Sequence, residues 1–316
     1  MKIVVNFFKY FFAILVLLIV GFCVFNWKKD IPVEELMKKY ANSESQFIEI
    51  DGMQVHIRDQ GNPLDSIPIV LIHGGGSSLH TWESWVNVLK KEHRVITFDL
   101  PGLGLTGPKP SGDYSREYCV NFVEKLLKKL SVNACILGGS SMGGAITWQY
   151  ALSHASQVHK MILIDADGIP DKSKTVPVVF KLAKIPVINL LFKYLLPRSA
   201  VENSLKSVYN NQNKVTPKLV DRYFDLALRE GNRQALVDRM QQSSESDKYL
   251  EIKNLKIPTL IIWGEKDAFI KLDIAEKFHQ YLPNDTLVIV KDLGHTPMEE
   301  DPLNTVIIVK EFLDKK

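Results

Sequence analysis

Hydrophobic positions along this chain fall into three regimes. Residues 10–25 (YFFAILVLLIVGFCVF) contain no charge. A helix of that length spans about 24 Å, slightly less than the ~30 Å hydrocarbon core of a bilayer. Ile3 to Phe8 extend the apolar run, Lys9 can snorkel to an interface, and Trp27, Lys28 and Lys29 supply an interfacial end. No A-x-A-like small-residue site follows, and Phe22 before Cys23 does not suit lipoprotein-type cleavage. The expectation is an uncleaved single-pass anchor over residues 1–29, touching the membrane through residues 3–27. Lys2 and Lys9 before it, against Lys28, Lys29, Lys38 and Lys39 after it, are too evenly balanced to set an orientation. The polar stretch 30–46 that follows is expected to be a tether or a short helix.

From residue 47 the pattern changes. Residues 47–51 (FIEID) and 54–59 (QVHIRD) alternate like paired half-buried strands around an Asp51-Gly52 turn. Residues 67–72, 95–100, 134–137, 161–164 and 259–263 are short continuous apolar runs, the pattern of central parallel strands buried on both faces. Helical stretches near residues 115–130, 142–154, 272–282 and 302–313 lie between or after them, with a further strand at 286–290. Strands alternating with helices predict an α/β fold with a mostly parallel, doubly wound sheet over residues 47–316. The third regime, about 171–247, has helical but no strand-like runs and predicts a helical insertion. Within it, residues 175–197 are rich in Val, Leu, Ile and Phe with Lys181, Lys184 and Lys193 interspersed, and Val178, Leu182, Leu190 and Leu191 form a candidate lipid-facing set. Pro177, Pro186 and Pro197 argue against a second span.

Composition narrows the function classes. The 316 residues are 46% hydrophobic and 24% charged, ordinary for a folded chain. Thirty-nine basic against 36 acidic residues leave a net charge of +3, too small an excess to point to nucleic acid. Cys23, Cys119 and Cys135 are widely spaced among apolar neighbours and read as buried thiols, not as a disulfide frame or metal site.

The strongest chemical signal is Gly139-Ser140-Ser141-Met142-Gly143, a G-x-S-x-G between a strand and a helix. A tight strand-to-helix turn demands small flanking residues and exposes the central hydroxyl, here Ser141, above the sheet edge. The helix N-terminus beneath it favours developing negative charge. His73-Gly74-Gly75-Gly76 follows another strand, so the N–H groups of Gly75, and after it Gly76, are expected to form an oxyanion hole with the Met142 N–H. His73 is expected to be a structural loop histidine.

A serine nucleophile needs a base. His295 stands in a loop after the last strand, at the carboxyl-end edge where open α/β sheets bind ligands. His56, His93, His154, His159 and His279 lie within or beside predicted elements; His80 follows the glycine loop and is a candidate pocket-lining side chain. The orienting carboxylate is expected to be Asp267, after the strand at 259–263, in the chain order Ser…Asp…His. Asp165, after the strand at 161–164, is the second choice. Gly102-x-Gly104-x-x-Gly107 matches a dinucleotide pattern, but Pro108, Pro110 and Gly112 follow where a helix would have to open. No cofactor and no metal are implied.

These residues bring a family into view. The chain resembles the α/β-hydrolase superfamily, in its cap-bearing branch, over about residues 47–313. HGGG at 73–76, FDLPGLGLTG at 98–107, GGSSMGG at 138–144, WGEKDAF at 263–269 and GHTPMEEDP at 294–302 stand in the family's order. The resemblance implies a triad of Ser141, Asp267 and His295 and a helical cap. Serine at the elbow disfavours the aspartate-dependent dehalogenases and epoxide hydrolases. Lys271 departs from the proline that many relatives carry there and changes only the start of the next helix.

Anchor and apolar cap together resemble membrane-bound, monoacylglycerol-lipase-like serine esterases. They imply hydrolysis of carboxylic esters, with a small-molecule or lipid ester of lipid-like or medium-chain acyl type as substrate. Carbon–carbon bond cleavage in a diketone and cofactor-free perhydrolysis use the same triad. A non-catalytic binding module on this fold usually lacks a triad member.

Overall fold

The continuous apolar runs become the interior of one sheet. The computed structural model describes residues 2–170, 193–242 and 247–315. Its strands are β1 (Ser45–Ile50), β2 (Met53–Gly61), β3 (Ile69–Ile72), β4 (Arg94–Phe98), β5 (Cys135–Ser140), β6 (Val158–Ile164), β7 (Thr259–Gly264) and β8 (Asp285–Val290). They pair in the order β1-β2-β4-β3-β5-β6-β7-β8. β1–β2 and β2–β4 are antiparallel, and every later pair is parallel. The carboxyl ends of β3, β5, β6, β7 and β8 therefore open on one edge, where the loops carrying the candidate chemistry lie.

Helices cover both faces, which is why the central strands can be apolar on alternate residues of either parity. Helices α3 (Glu83–Leu89), α4 (Arg116–Lys129), α5 (Met142–Ser153), α9 (Leu272–Tyr281) and α11 (Pro302–Asp314) flank the sheet. α4, α5 and α9 bury Phe122, Trp148 and Phe278 against one face; α3 and α11 bury Trp85 and Val309 against the other. The buried Trp85 indole donates to Thr305 Oγ1 at 3.0 Å, giving its polar edge a partner. The sequence pattern missed α3 and the turn of 3₁₀ helix before it (Leu79–Trp82).

Between β6 and β7 stand α6 (Arg198–Val208), α7 (Pro217–Ala227) and α8 (Asn232–Gln242), and the short α10 (Pro297–Glu300) precedes α11. The three helices fall inside the expected insertion and form a cap over the carboxyl-end edge. The lipid-facing set Val178, Leu182, Leu190 and Leu191 lies outside the described residues.

Residues 30–46, expected as a tether or a short helix, contain a short helix that packs on the cap. α1 (Lys2–Asn26) is followed by α2 (Val33–Tyr40), whose Val33, Leu36, Met37 and Tyr40 form one stripe. Leu36 is buried against Leu105 and the cap residue Leu226. Ile31 and the cap exchange backbone bonds: the Ile31 N–H donates to Leu228 O at 2.8 Å, and the Glu230 N–H to Ile31 O at 3.0 Å. Asp30 pairs with Arg233 at 2.6 Å, and the Tyr40 hydroxyl donates to Asp225 at 2.8 Å. An amphipathic stripe plus paired ends makes this stretch part of the cap's packing. α1 is long and apolar enough to cross a membrane, with an 18-residue window within Asn6–Asn26 at mean hydropathy 2.5 and none of that window buried inside the protein. Where it ends, Trp27 stacks on Tyr194 at 4.7 Å and bridges to Leu195.

Candidate active site

Ser141 sits at the turn between β5 and α5 with φ 53° and ψ −118°, a left-handed backbone that a serine adopts only under surrounding constraint. The constraint is packing of small residues. A Cβ on Gly139 would collide with the Gly143 carbonyl, and one on Gly143 with the Ile72 carbonyl of β3. Ser141's N–H donates to Ile164 O at 2.9 Å, fixing the turn to β6. Its neighbour Ser140 is 1% exposed inside the sheet, whereas Ser141 is half-buried, which separates the two serines of the motif.

The glycine loop lies against this turn. A Cβ on Gly74 would stand 3.3 Å from Ser141 Cβ, and one on Gly75 would stand 4.0 Å from Met142 Sδ. No acceptor among the described residues takes the Gly75 or Met142 N–H, so both remain available to an oxygen. Gly76, the other candidate donor, has φ 71° and open space where a Cβ would stand. The loop is anchored by His73, whose Nε2 accepts the Leu100 N–H at 3.0 Å while Nδ1 donates to Gly74 O at 2.8 Å. Full burial lowers the His73 pKa and keeps the ring neutral, as this bonding needs.

Asp267 and His295 follow β7 and β8. His295 Nδ1 and Asp267 Oδ2 are 2.7 Å apart, both side chains being buried. Asp267 Oδ1 accepts the N–H groups of Phe269 at 2.7 Å and Ile270 at 2.9 Å, so both carboxylate oxygens have partners. Phe269 packs on the imidazole at 5.1 Å between ring centres. Asp165, at the end of β6, is fully buried with φ 42°. Its Oδ1 accepts the Gly264 N–H at 3.0 Å, and the imidazole bonds Asp267 instead. Burial first, and then the Asp267 charge, push the Asp165 carboxyl well above the usual carboxylate range. Asp165, Asp267 and His295 could each turn one donor atom to a common point, these atoms lying within 4.8 Å of one another. The bonds they make here join His295 to Asp267 and Asp165 to the Gly264 N–H.

Several residues of the site escaped the sequence. Glu300 is 1% exposed and accepts the N–H groups of Gly294 (2.8 Å), Asn210 (3.2 Å) and Asn211 (2.6 Å). The His295 N–H donates to Val208 O at 2.7 Å, so the cap and Glu300 together hold the histidine loop. Glu299 gathers Tyr209, Tyr223 and Arg222, and Tyr223 also meets Ser77 Oγ at 3.1 Å, tying the cap to the glycine loop. Arg239 on α8 reaches Met142 Sδ at 3.6 Å and donates to Pro101 O at 2.5 Å. The acidic pair in the PMEEDP segment was a visible signal for Glu299 and Glu300; the cap residues carried none.

The G-x-G-x-x-G segment is a loop wrapped on Asp99. Asp99 accepts the Leu79 and Leu105 N–H groups at 2.7 and 2.8 Å and meets His56 Nδ1 at 2.8 Å. Burial alone would raise its pKa, but His56 holds it well below the usual carboxylate range. His80 does not join the candidate triad. It is buried, bonded to Ser78 Oγ at 3.0 Å and Tyr40 O at 2.9 Å, and burial pushes its pKa down to about 4.

Comparison with known proteins agrees with this architecture. The family model described as alpha/beta hydrolase fold matches residues 67–302. The chain is 29% identical over 259 residues to Lipase 3 of Moraxella sp. (strain TA144), covering 78% of this chain and 77% of that protein. It is 25% identical over 279 residues to 2-hydroxy-6-oxo-6-(2'-aminophenyl)hexa-2,4-dienoic acid hydrolase of Metapseudomonas resinovorans, covering 86% and 91%. A bacterial membrane phospholipase A superposes with a TM-score of 0.74 at 24% identity, covering 98% of both chains, a likeness of fold. With a sheet of this order, a serine at the strained turn after β5 and a family match across most of its length, the chain belongs to the α/β-hydrolase fold family.

Proposed function

We propose that this chain is a membrane-anchored serine hydrolase that cleaves carboxylic esters of lipid-like or medium-chain acyl substrates. The observation that carries the reading is the conjunction of a strained, half-exposed Ser141 beside two free N–H groups with a buried His295–Asp267 pair on the same sheet edge. His295 takes the Ser141 proton as Oγ attacks the ester carbonyl. Asp267 keeps Nδ1 protonated, leaving Nε2 as base, and stabilises the imidazolium that forms. The N–H groups of Met142 and Gly75 receive the oxyanion, with Gly76 next to them. The alcohol leaves with the proton from His295. Water activated by His295 then releases the acid and restores Ser141.

The membrane part rests on α1 and on its junction. Trp27 meets Tyr194 and Leu195, and the Leu196 N–H donates to Asn26 O at 3.4 Å, with no intervening linker, so an anchored α1 would hold the cap at the headgroup layer. Tyr and Trp suit that layer, and Lys28, Lys29 and Lys193 flank it. Lipase 3 among the relatives is compatible with an acyl substrate. The dienoic acid hydrolase relative favours a second reading, carbon–carbon bond hydrolysis with the same triad. A p-nitrophenyl ester chain-length series run beside a monoacylglycerol and a diketone separates them. Turnover of the esters and monoacylglycerol with an inert diketone supports ester hydrolysis; the reverse selectivity replaces it.

A further inference from the structure

One buried group near the candidate triad has no partner for one of its atoms. Asp165 is fully buried, and its Oδ1 is satisfied by the Gly264 N–H. Its Oδ2 meets no donor among the described residues. Donor atoms of Asp165, Asp267 and His295 lie within 4.8 Å of one another. Two carboxylates this close in a dry site cannot both carry charge. Asp267 has the better claim to the charge, because two backbone N–H groups and the imidazole all donate to it. A bare Asp165 carboxylate would have one N–H and would face two further acids, Asp267 and Glu300. An unpartnered buried oxygen is costly, and a proton on it turns an orphan acceptor into a donor.

We propose that Asp165 is held as a neutral carboxylic acid whose Oδ2 hydroxyl donates a hydrogen bond to the Asp267 carboxylate, making Asp165 a positioning residue behind the base. The pair then holds one proton and one negative charge. The donated bond takes up part of the Asp267 charge and so tempers the pull of that carboxylate on the His295 ring. It also adds a further restraint on the Asp267 carboxylate. The inference rests on Asp267 and His295 acting as acid and base.

The test uses the full chain in detergent micelles with a soluble short-chain p-nitrophenyl ester, and infrared difference spectroscopy near pH 7. The wild type should show the carbonyl stretch of a protonated carboxylic acid, and Asp165→Asn should abolish it. Asp267→Asn removes the charged acceptor, so the band should persist and move to higher frequency as its hydrogen bond weakens. This arm still decides the question where Asp165→Asn does not fold. In the pH profile of kcat/KM, the acidic limb reports the base. Asp165→Asn keeps a neutral donor, so its limb should stay in place, while Asp165→Ala should move the limb to higher pH. Were Asp165 ionised, Asp165→Asn would delete a nearby negative charge and shift the limb roughly 1–3 units to lower pH. That shift, or absence of the band from the wild type, overturns the proposal. Failure of the underlying reading looks different: Asp267→Asn would stay active and Asp165→Asn would be dead. With the reading intact, Asp267→Asn loses about 10⁴-fold in kcat whichever way Asp165 titrates.

Discussion

Glu300 is the residue whose loss should separate folding of the scaffold from assembly of the site. Its carboxylate accepts three N–H groups, two from the cap segment Asn210–Asn211 and one from Gly294, directly before His295. The Gly294 bond is buried, so Glu300→Ala leaves a dry donor without a partner. A bond to a charged group of this kind is worth about 1.5–3 kcal/mol, and the two more exposed bonds about 0.5–1.5 kcal/mol each. Allowing for water replacing the exposed pair, the loss is of order 3–5 kcal/mol, which for a chain of this size lowers Tm by roughly 5–8 °C. Glu300→Gln keeps the shape and one acceptor oxygen and should recover about half of that. Because the freed loop carries His295, kcat on a soluble ester should fall at temperatures well below Tm. Differential scanning fluorimetry in detergent, paired with an esterase assay at 20 °C below each variant's Tm, measures both. If Glu300→Ala keeps wild-type Tm and kcat, the idea that this carboxylate clamps the histidine loop to the cap is wrong.

Two further outcomes follow from the packing. A chain beginning at Asp30 keeps the Asp30–Arg233 pair and α2, so it should fold and turn over a soluble ester at close to the full-length kcat/KM. One beginning at Asn42 exposes Leu105 and Leu226 and should be destabilised by several kcal/mol, read as a lower Tm; equal Tm values would mean α2 is only a passenger. His80 gives a pH dependence. Its folded pKa of about 4 lies below the ordinary histidine value, so the unfolded chain binds the proton first. Stability is therefore fully present above about pH 6.5 and falls as pH drops toward 4, by at most about 1.4 kcal/mol per pH unit for this histidine. The buried His73 acts with the same sign. His80→Gln should flatten the Tm-versus-pH curve between pH 6.5 and 4, and an unchanged slope would assign the acid sensitivity elsewhere.

What could be read from the sequence was whatever local chemistry enforces. All eight strands are visible as apolar or alternating runs because a sheet covered on both faces tolerates little else. The elbow is visible because only glycine fits at positions 139 and 143 once Ser141 is forced to positive φ. The α3 region is not, since Leu79–Leu89 interleaves Trp and Val with polar residues at no clean period. Whether α2 was a tether or a short helix stayed open because eight residues hold only two turns of pattern, and its partners Leu105 and Leu226 lie far off in the chain. Asp267 was legible as the first choice through the chain order Ser…Asp…His, although Asp165 also follows a strand; that the imidazole meets Asp267 is read from the fold. The cap's grip on the site, through Val208, Asn210, Tyr223 and Arg239, is made wholly of long-range contacts that no local motif encodes.

The central claim, that Ser141 is a nucleophile activated by His295, is tested most directly by labelling. A fluorophosphonate probe should modify the full-length protein at one serine, identified by peptide mass spectrometry as Ser141, with labelling and ester turnover lost together in Ser141→Ala by several powers of ten and retained in Ser140→Ala. Labelling at Ser140, or undiminished turnover in Ser141→Ala, would contradict the account.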